Sequence, residues 1–337
     1  MSTAPASLSH SRVTIAPALR AAVERLDHRS RHQAAYHFGW ITAGGAPTSA
    51  DAGKAVRPAL ALLSAEAVGA PPEVALPGAV AVELVHNFSL VHDDLMDGDE
   101  ERRHRRTVWK LWGPSSAILT GDALLALAQE VLLDTGSPTA APAARLLART
   151  TRHLIRGQVQ DLTFEQRRRV TVEECLDMAA GKTGALLSAS AAIGAVLAGA
   201  PETTVEALAL YGDHLGIAFQ LVDDVLGIWG DPAVTGKSVH SDLRSRKKSL
   251  PVSHALNQAG PLSDELADWL ATSGEPDEEE LRRVAGLIEG AGGRDWALAE
   301  AARRLTLAED ALSGVGLDAG ARGELLALGR FVVDRKA

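Results

Sequence analysis

Apolar and polar residues fall into helical runs along this chain, and short breakers punctuate them at Gly44–Pro47, Gly69–Pro72, Gly98–Asp99, Gly113–Pro114, Gly136–Pro142 and Gly199–Pro201. These breaks are too short to be linkers, no repeat of fixed period is evident, and no Gly/Pro/Ser-rich segment divides the sequence. One helical domain is the expectation. The longest uncharged stretch, Thr183–Pro201, just reaches the length of a membrane span, but it is mostly Gly, Ala and Ser and directly follows Lys182. It reads as a buried, closely packed helix, so no membrane span is expected. Ser273–Glu280 (SGEPDEEE) reads as a solvated loop leading into an acidic helix start. Met1–Arg12, rich in Ser and Ala and without the apolar core of a secretory signal, reads as a disordered lead-in to a folded domain over 13–337.

Composition agrees with helices. Hydrophobic residues make up 46% of the 337 but aromatics only 4%, so the apolar content is mainly Ala, Leu and Val, which favours an all-α fold over a sandwich. A net charge of -9 argues against binding nucleic acid. The single cysteine, Cys175, can form no internal disulfide, which fits a reducing, cytoplasmic setting.

The candidate chemistry concentrates in Ala81–Thr107. On a helix, His86, Ser89, Leu90, Asp93 and Asp97 share one face over three turns. Asp93 and Asp97 stand one turn apart with Asp94 beside them, and a divalent cation would relieve their repulsion. Oxygen-only donors point to Mg²⁺ or Mn²⁺. The bland reading is a solvated helix end balanced by Arg102 and Arg103. A second pair, Asp223 and Asp224, lies inside an apolar helical run one turn after Gln220, and Lys237, Arg244, Arg246, Lys247 and Lys248 follow it. Two acidic helix ends facing each other could hold Mg²⁺ ions that grip a diphosphate, with lysines and arginines closing on its outer oxygens.

The motifs GKAVRP (Gly53–Pro58), DDLMD (Asp93–Asp97) with Arg102 and Arg103, GDALLALA from Gly121, GQVQD (Gly157–Asp161), KTG at Lys182, FQLVDD (Phe219–Asp224), TGK and KKSLP occur in one order. In that order the chain resembles the trans-isoprenyl diphosphate synthases, most closely their geranylgeranyl branch, from about Val13 onward. The resemblance implies a single-domain helical bundle around a central active-site cavity, generally a homodimer. It implies ionisation of an allylic diphosphate, attack by isopentenyl diphosphate and proton loss.

Carried over by position, Asp93, Asp97 and Asp223 resemble the Mg²⁺ ligands, with Asp94 and Asp224 in support. Arg102, Lys182, Lys237 and Lys247 would stabilise the departing diphosphate. Lys54, Arg57, His86 and Arg103 resemble the isopentenyl diphosphate site, and Thr183 and Gln220 the polar groups near the carbocation. Three departures stand out: Gly227 where the common second motif has a third Asp, RRHRRTVW after the first motif, and Ala52 before Gly53. Asp231 lies a further turn beyond Gly227, and its spacing leaves open whether it compensates. The resemblance implies a C20 product, because bulky Phe88 and small Ser89 occupy the fifth and fourth positions before Asp93. Alternatives are a C15 synthase, a class I terpene cyclase and a non-catalytic synthase partner.

Overall fold

The computed structural model describes residues 5–48, 55–230 and 239–334. Helices dominate: α1 (Ala6–Val23), α2 (His28–His37), α3 (Val56–Ala67), α4 (Leu76–Met96), α5 (Val108–Trp112), α6 (Pro114–Leu133), α7 (Ala140–Glu165), α8 (Val172–Ala179), α9 (Ala185–Leu197) and α10 (Glu202–Trp229). There follow α11 (Ser241–Arg244), α12 (Leu250–Leu256), α13 (Pro261–Leu270), α14 (Glu278–Gly290), α15 (Gly293–Ala311) and α16 (Ala319–Val333). The all-α expectation holds apart from a two-residue ladder that pairs Glu101–Arg102 with Arg105–Arg106. Its turn residues, Arg103 and His104, both have positive φ (52° and 60°), the backbone of a tight two-residue hairpin turn.

The uncharged stretch is the centre of the bundle. α9 packs against α3, α4, α7 and α10, and its Ala191, Ala192, Ile193 and Ala195 are fully buried. Small residues let these backbones approach: a Cβ at Gly194 would overlap the Ala61 carbonyl of α3. Three helical runs, Pro72–Met96, Pro114–Leu133 and Val172–Leu197, are long and apolar enough to cross a membrane by length and composition. The first and third are 72% buried in the bundle, whereas Pro114–Leu133 is only 39% buried and exposes Ile118, Leu119 and Leu133.

One expectation fails at the N-terminus. Residues from Ala6 onward are helical, so Ala6–Arg12 is not a disordered lead-in. Leu8, Ser11, Ile15, Leu19 and Ala22 form a buried stripe at helical spacing. Its small residues gave a weak hydrophobic signal. The reading of Ser273–Glu280 stands: Asp277 caps α14, its carboxylate accepting from the Glu279 and Glu280 amides.

Candidate active site

Both acidic pairs lie near the C-terminal ends of their helices, Asp93 and Asp97 on α4 and Asp223 and Asp224 on α10. That end carries the negative pole of the helix dipole, so carboxylates are disfavoured there and a cation is favoured. The ammonium of Lys247 lies in the field of Asp161, Asp242, Asp224 and Asp97 together, so the two pairs face one space. Burial opposes the charge of Lys247, and those carboxylates more than reverse it.

Asp161 on α7 joins the two sides. It receives Lys182 Nζ at 2.6 Å and lies 3.8 Å from Lys247 Nζ. Burial works against its charge, and Lys247 and Lys182 outweigh burial, so it titrates below the ordinary carboxylate range. The GQVQD motif flagged this segment, but no sequence spacing could assign Asp161 two lysine partners. Lys182 and Thr183 reach the site from a single π turn, Ala180–Gly184, between α8 and α9; such turns are frequent at functional sites.

The two aspartates of each pair have separate surroundings. Asp94 is buried and accepts Arg102 Nε at 2.6 Å; burial, only partly offset by Arg102, raises its pKa to about 6. Asp93 is half-buried and Asp97 exposed, and burial raises both above the ordinary value. On α10, Asp224 accepts Leu250 N at 2.8 Å and Gln220 Nε2 at 2.7 Å, while Gln220 Oε1 accepts the Thr183 hydroxyl at 2.6 Å. Burial and the charge of Asp242 raise Asp224 to about 7. Asp94 and Asp224 are therefore engaged with groups of the protein itself. The former holds the Arg102 hairpin, and the latter ties α10 to the loop carrying Lys247. Arg102, expected on diphosphate, is engaged by Asp94. Lys248 turns away, donating to the Glu165 carbonyl at 3.3 Å.

A cationic pocket surrounds His86, two turns before Asp93 on α4. Arg57 Nη1 stands 3.4 Å from His86 Nε2, and Arg57 Nε is buried without an acceptor among the described residues. Burial and then Arg57, Arg103, Arg102 and His37 hold His86 well below its ordinary pKa. His37, unmarked by any sequence pattern, is lowered to about 3 by burial and by Arg102 and Arg103. An anion would satisfy this pocket. Lys54 and Lys237, assigned to substrate binding by position, lie outside the described residues, as does Asp231.

Among the described residues no three His, Cys, Asp or Glu side chains converge on one point as a closed metal site. Phe88 is buried, its ring edge-on to His92 at 4.9 Å, and Ser89 Oγ donates to the His86 carbonyl at 2.8 Å.

Facing acidic helix ends beside a cationic pocket, within an isoprenoid-synthase bundle, define an enzyme that works on prenyl diphosphates. Residues 40–288 match the polyprenyl synthetase family. The chain is 54% identical over 333 residues to the (2E,6E)-farnesyl diphosphate synthase of Mycobacterium tuberculosis H37Rv, covering 98% of this chain and 92% of that one. It is 41% identical over 332 residues to the geranylgeranyl diphosphate synthase of the same strain, covering 98% and 94%. The crystal structure of a polyprenyl synthetase from Streptomyces coelicolor A3(2) superposes with TM-score 0.95 at 57% identity, covering 97% and 99%. The chain belongs to the polyprenyl synthetase family and is a trans-isoprenyl diphosphate synthase. The motifs pointed most closely to the geranylgeranyl branch, but of these two relatives from one strain the chain is more similar to the farnesyl diphosphate synthase.

Proposed function

We propose that this enzyme is a Mg²⁺-dependent short-chain prenyltransferase that adds isopentenyl diphosphate to an allylic diphosphate and stops at C15, farnesyl diphosphate. The observation that carries condensation is the unsatisfied, buried Arg57 Nε beside His86, in a cationic pocket separate from the acidic one. A terpene cyclase binds one diphosphate and needs no such second pocket, and a non-catalytic partner needs neither. Asp93, Asp97 and Asp223 would hold the metal, and Lys182 and Lys247 would meet the outer oxygens of the allylic diphosphate. The ions, Mg²⁺ or Mn²⁺, supply neutralisation of the charge that grows on the departing diphosphate. Arg57, His86 and Arg103 would hold the isopentenyl diphosphate through cations and a neutral donor, so that it stays intact. Thr183 commits its proton to Gln220, leaving its oxygen lone pairs to stabilise the allylic cation.

The C15 end point rests on the 54% against 41% identity to the two mycobacterial relatives. A C20 product is the second reading, favoured by small Ser89 above Phe88. Protein incubated with Mg²⁺, isopentenyl diphosphate and each allylic diphosphate should yield mainly C15 by mass, and Phe88→Ala should lengthen the product by at least one C5 unit. A C20 main product replaces C15 with the second reading. No condensation product at all overturns the proposed activity.

A homodimer is part of the proposal. Ile118, Leu119 and Leu133 of α6, with Ile155 and Val159 of α7, leave apolar side chains exposed that a second copy would cover. Sedimentation should give a dimer, and Leu119→Glu should shift it toward monomer. A monomeric wild-type protein would sink this assignment. Cys175 is buried, which pushes its thiol up to about 12 and makes it inert; a cytoplasmic location is part of the proposal on the ground that the sequence has a single cysteine.

A further inference from the structure

We infer that Gln158 is a further catalytic residue, its side-chain amide touching the allylic end of the prenyl diphosphate where the cation forms. The inference rests on the prenyltransferase reading above. Gln158 is only 5% exposed, and neither its Oε1 nor its Nε2 has a hydrogen-bond partner among the described residues. It is the one side chain among them with two buried polar atoms unsatisfied. A buried amide with donor and acceptor both unused is costly, and a ligand that supplies an acceptor and a positive pole removes the cost.

The place of Gln158 on α7 identifies that ligand. Leu147, Thr151, Leu154, Gln158 and Asp161 are spaced as one helical stripe. At its ionic end Asp161 meets Lys182 at 2.6 Å and lies 3.8 Å from Lys247. Leu154, one turn deeper than Gln158, belongs to the same buried apolar cluster as Phe88. Gln158 therefore stands between the diphosphate end and the apolar floor. Its neighbour Gly157 packs so closely on the π turn that a Cβ there would overlap the Lys182 amide nitrogen, which sets Gln158 at the level of Lys182 and Thr183.

An allylic diphosphate offers both poles at this level. When its C1–O bond breaks, the electron pair leaves with the diphosphate and positive charge spreads over C1 and C3. The Gln158 N–H group can donate to an oxygen of the departing diphosphate while its carbonyl oxygen faces the allylic charge. The amide is neutral and takes neither a proton nor an electron pair, so it stabilises the cation without capturing it. Gln220 is already committed on both sides, its Nε2 donating to Asp224 at 2.7 Å and its Oε1 accepting from Thr183 at 2.6 Å. A prenyl tail alone would leave the Gln158 amide unsatisfied, so the head of the chain is the part that belongs here.

The test compares two analogues of the five-carbon allylic diphosphate by calorimetry on full-length protein with Mg²⁺. In 2-(dimethylamino)ethyl diphosphate a protonated nitrogen replaces the cationic C3, whereas 3-methylbutyl diphosphate is saturated and carries no charge in its tail. The wild type should prefer the ammonium analogue. Gln158→Met keeps the length and removes the amide, and it should reduce that preference by about tenfold and kcat by about tenfold or more, with the KM for isopentenyl diphosphate unchanged. Its ligand-free melting temperature should not fall, since an unused buried amide has been removed; a merely structural glutamine would lower it. Gln158→Leu should repeat the result with a side chain of different shape. A wild type without the preference, an undiminished preference in the two variants, or a lower melting temperature in both overturns the role of Gln158. Wild-type protein that makes no condensation product overturns the prenyltransferase reading itself, a result distinguishable from these.

Discussion

Asp93→Ala should lower turnover on the order of 10²- to 10³-fold while leaving the metal-free protein at least as stable as the wild type. Asp93 lies one turn before Asp97 at the negative end of α4, so the two carboxylates repel each other and oppose the helix dipole. Burial raises both pKa values above the ordinary 3.8. Between 3.8 and the raised values the unfolded chain holds fewer protons than the folded one, so stability falls as pH rises through that window. Removing Asp93 removes its share of that loss, and metal-free melting temperatures at pH 7 should not drop. Asp94→Asn should behave in the opposite way: Asp94 is buried against Arg102, so its loss should lower the melting temperature while lowering turnover less than Asp93→Ala does. Steady-state turnover with Mg²⁺ and thermal melts followed by circular dichroism check both variants. Wild-type turnover in Asp93→Ala would remove the acidic helix ends from the mechanism.

The contrast between Asp93 and Asp94 marks the boundary of what sequence can reveal. Adjacent residues on a helix point about 100° apart, so each DD pair announces a site without saying which member faces it. The answer comes from groups beyond the end of each helix, the nearby Arg102 for Asp94 and the more distant Leu250 for Asp224. The helices and their breaks were readable because they depend on local pattern and on glycines such as Gly98 and Gly113, whose φ values of 71° and 88° end one run and begin another. Lys182 and Lys247 could be named from motifs, whereas their meeting at Asp161 depends on how α7 crosses the π turn. Gly227 shows the converse limit. Its sequence reads as a lost ligand, and only the fold reveals that the Asp242 carboxyl group packs where a Cβ at 227 would lie. Leu8 and Ser11 were hidden for a third reason, a Ser- and Ala-rich stripe too weakly apolar to separate from a tail.

The crossing that brings those lysines together has no slack, and Gly157→Ala should therefore damage both stability and turnover. A Cβ at Gly157 would overlap the Lys182 amide nitrogen and lie 2.8 Å from Gly181 C and 2.9 Å from Lys182 Cα. All three atoms are backbone within the π turn, so no side chain can swing away to make room. The helices must separate, at a cost at or above the ~1–3 kcal/mol typical of overpacking. Asp161 lies one turn along α7 from Gly157, and its 2.6 Å contact with Lys182 spans that same crossing. A shift of about 1 Å there is enough to lower turnover by about 10²-fold. Gly194→Ala separates the two effects. It would overlap the Ala61 carbonyl, which costs comparable stability at the α3–α9 crossing, but it shifts α3 and Arg57, one turn before Ala61, while leaving Asp161 and Lys182 in place. At saturating isopentenyl diphosphate it should therefore leave turnover intact and raise only the KM for that substrate. Turnover per folded molecule, measured well below both melting temperatures, should fall for Gly157→Ala and hold for Gly194→Ala. Equal losses in the two variants would mean that the π turn matters only as packing.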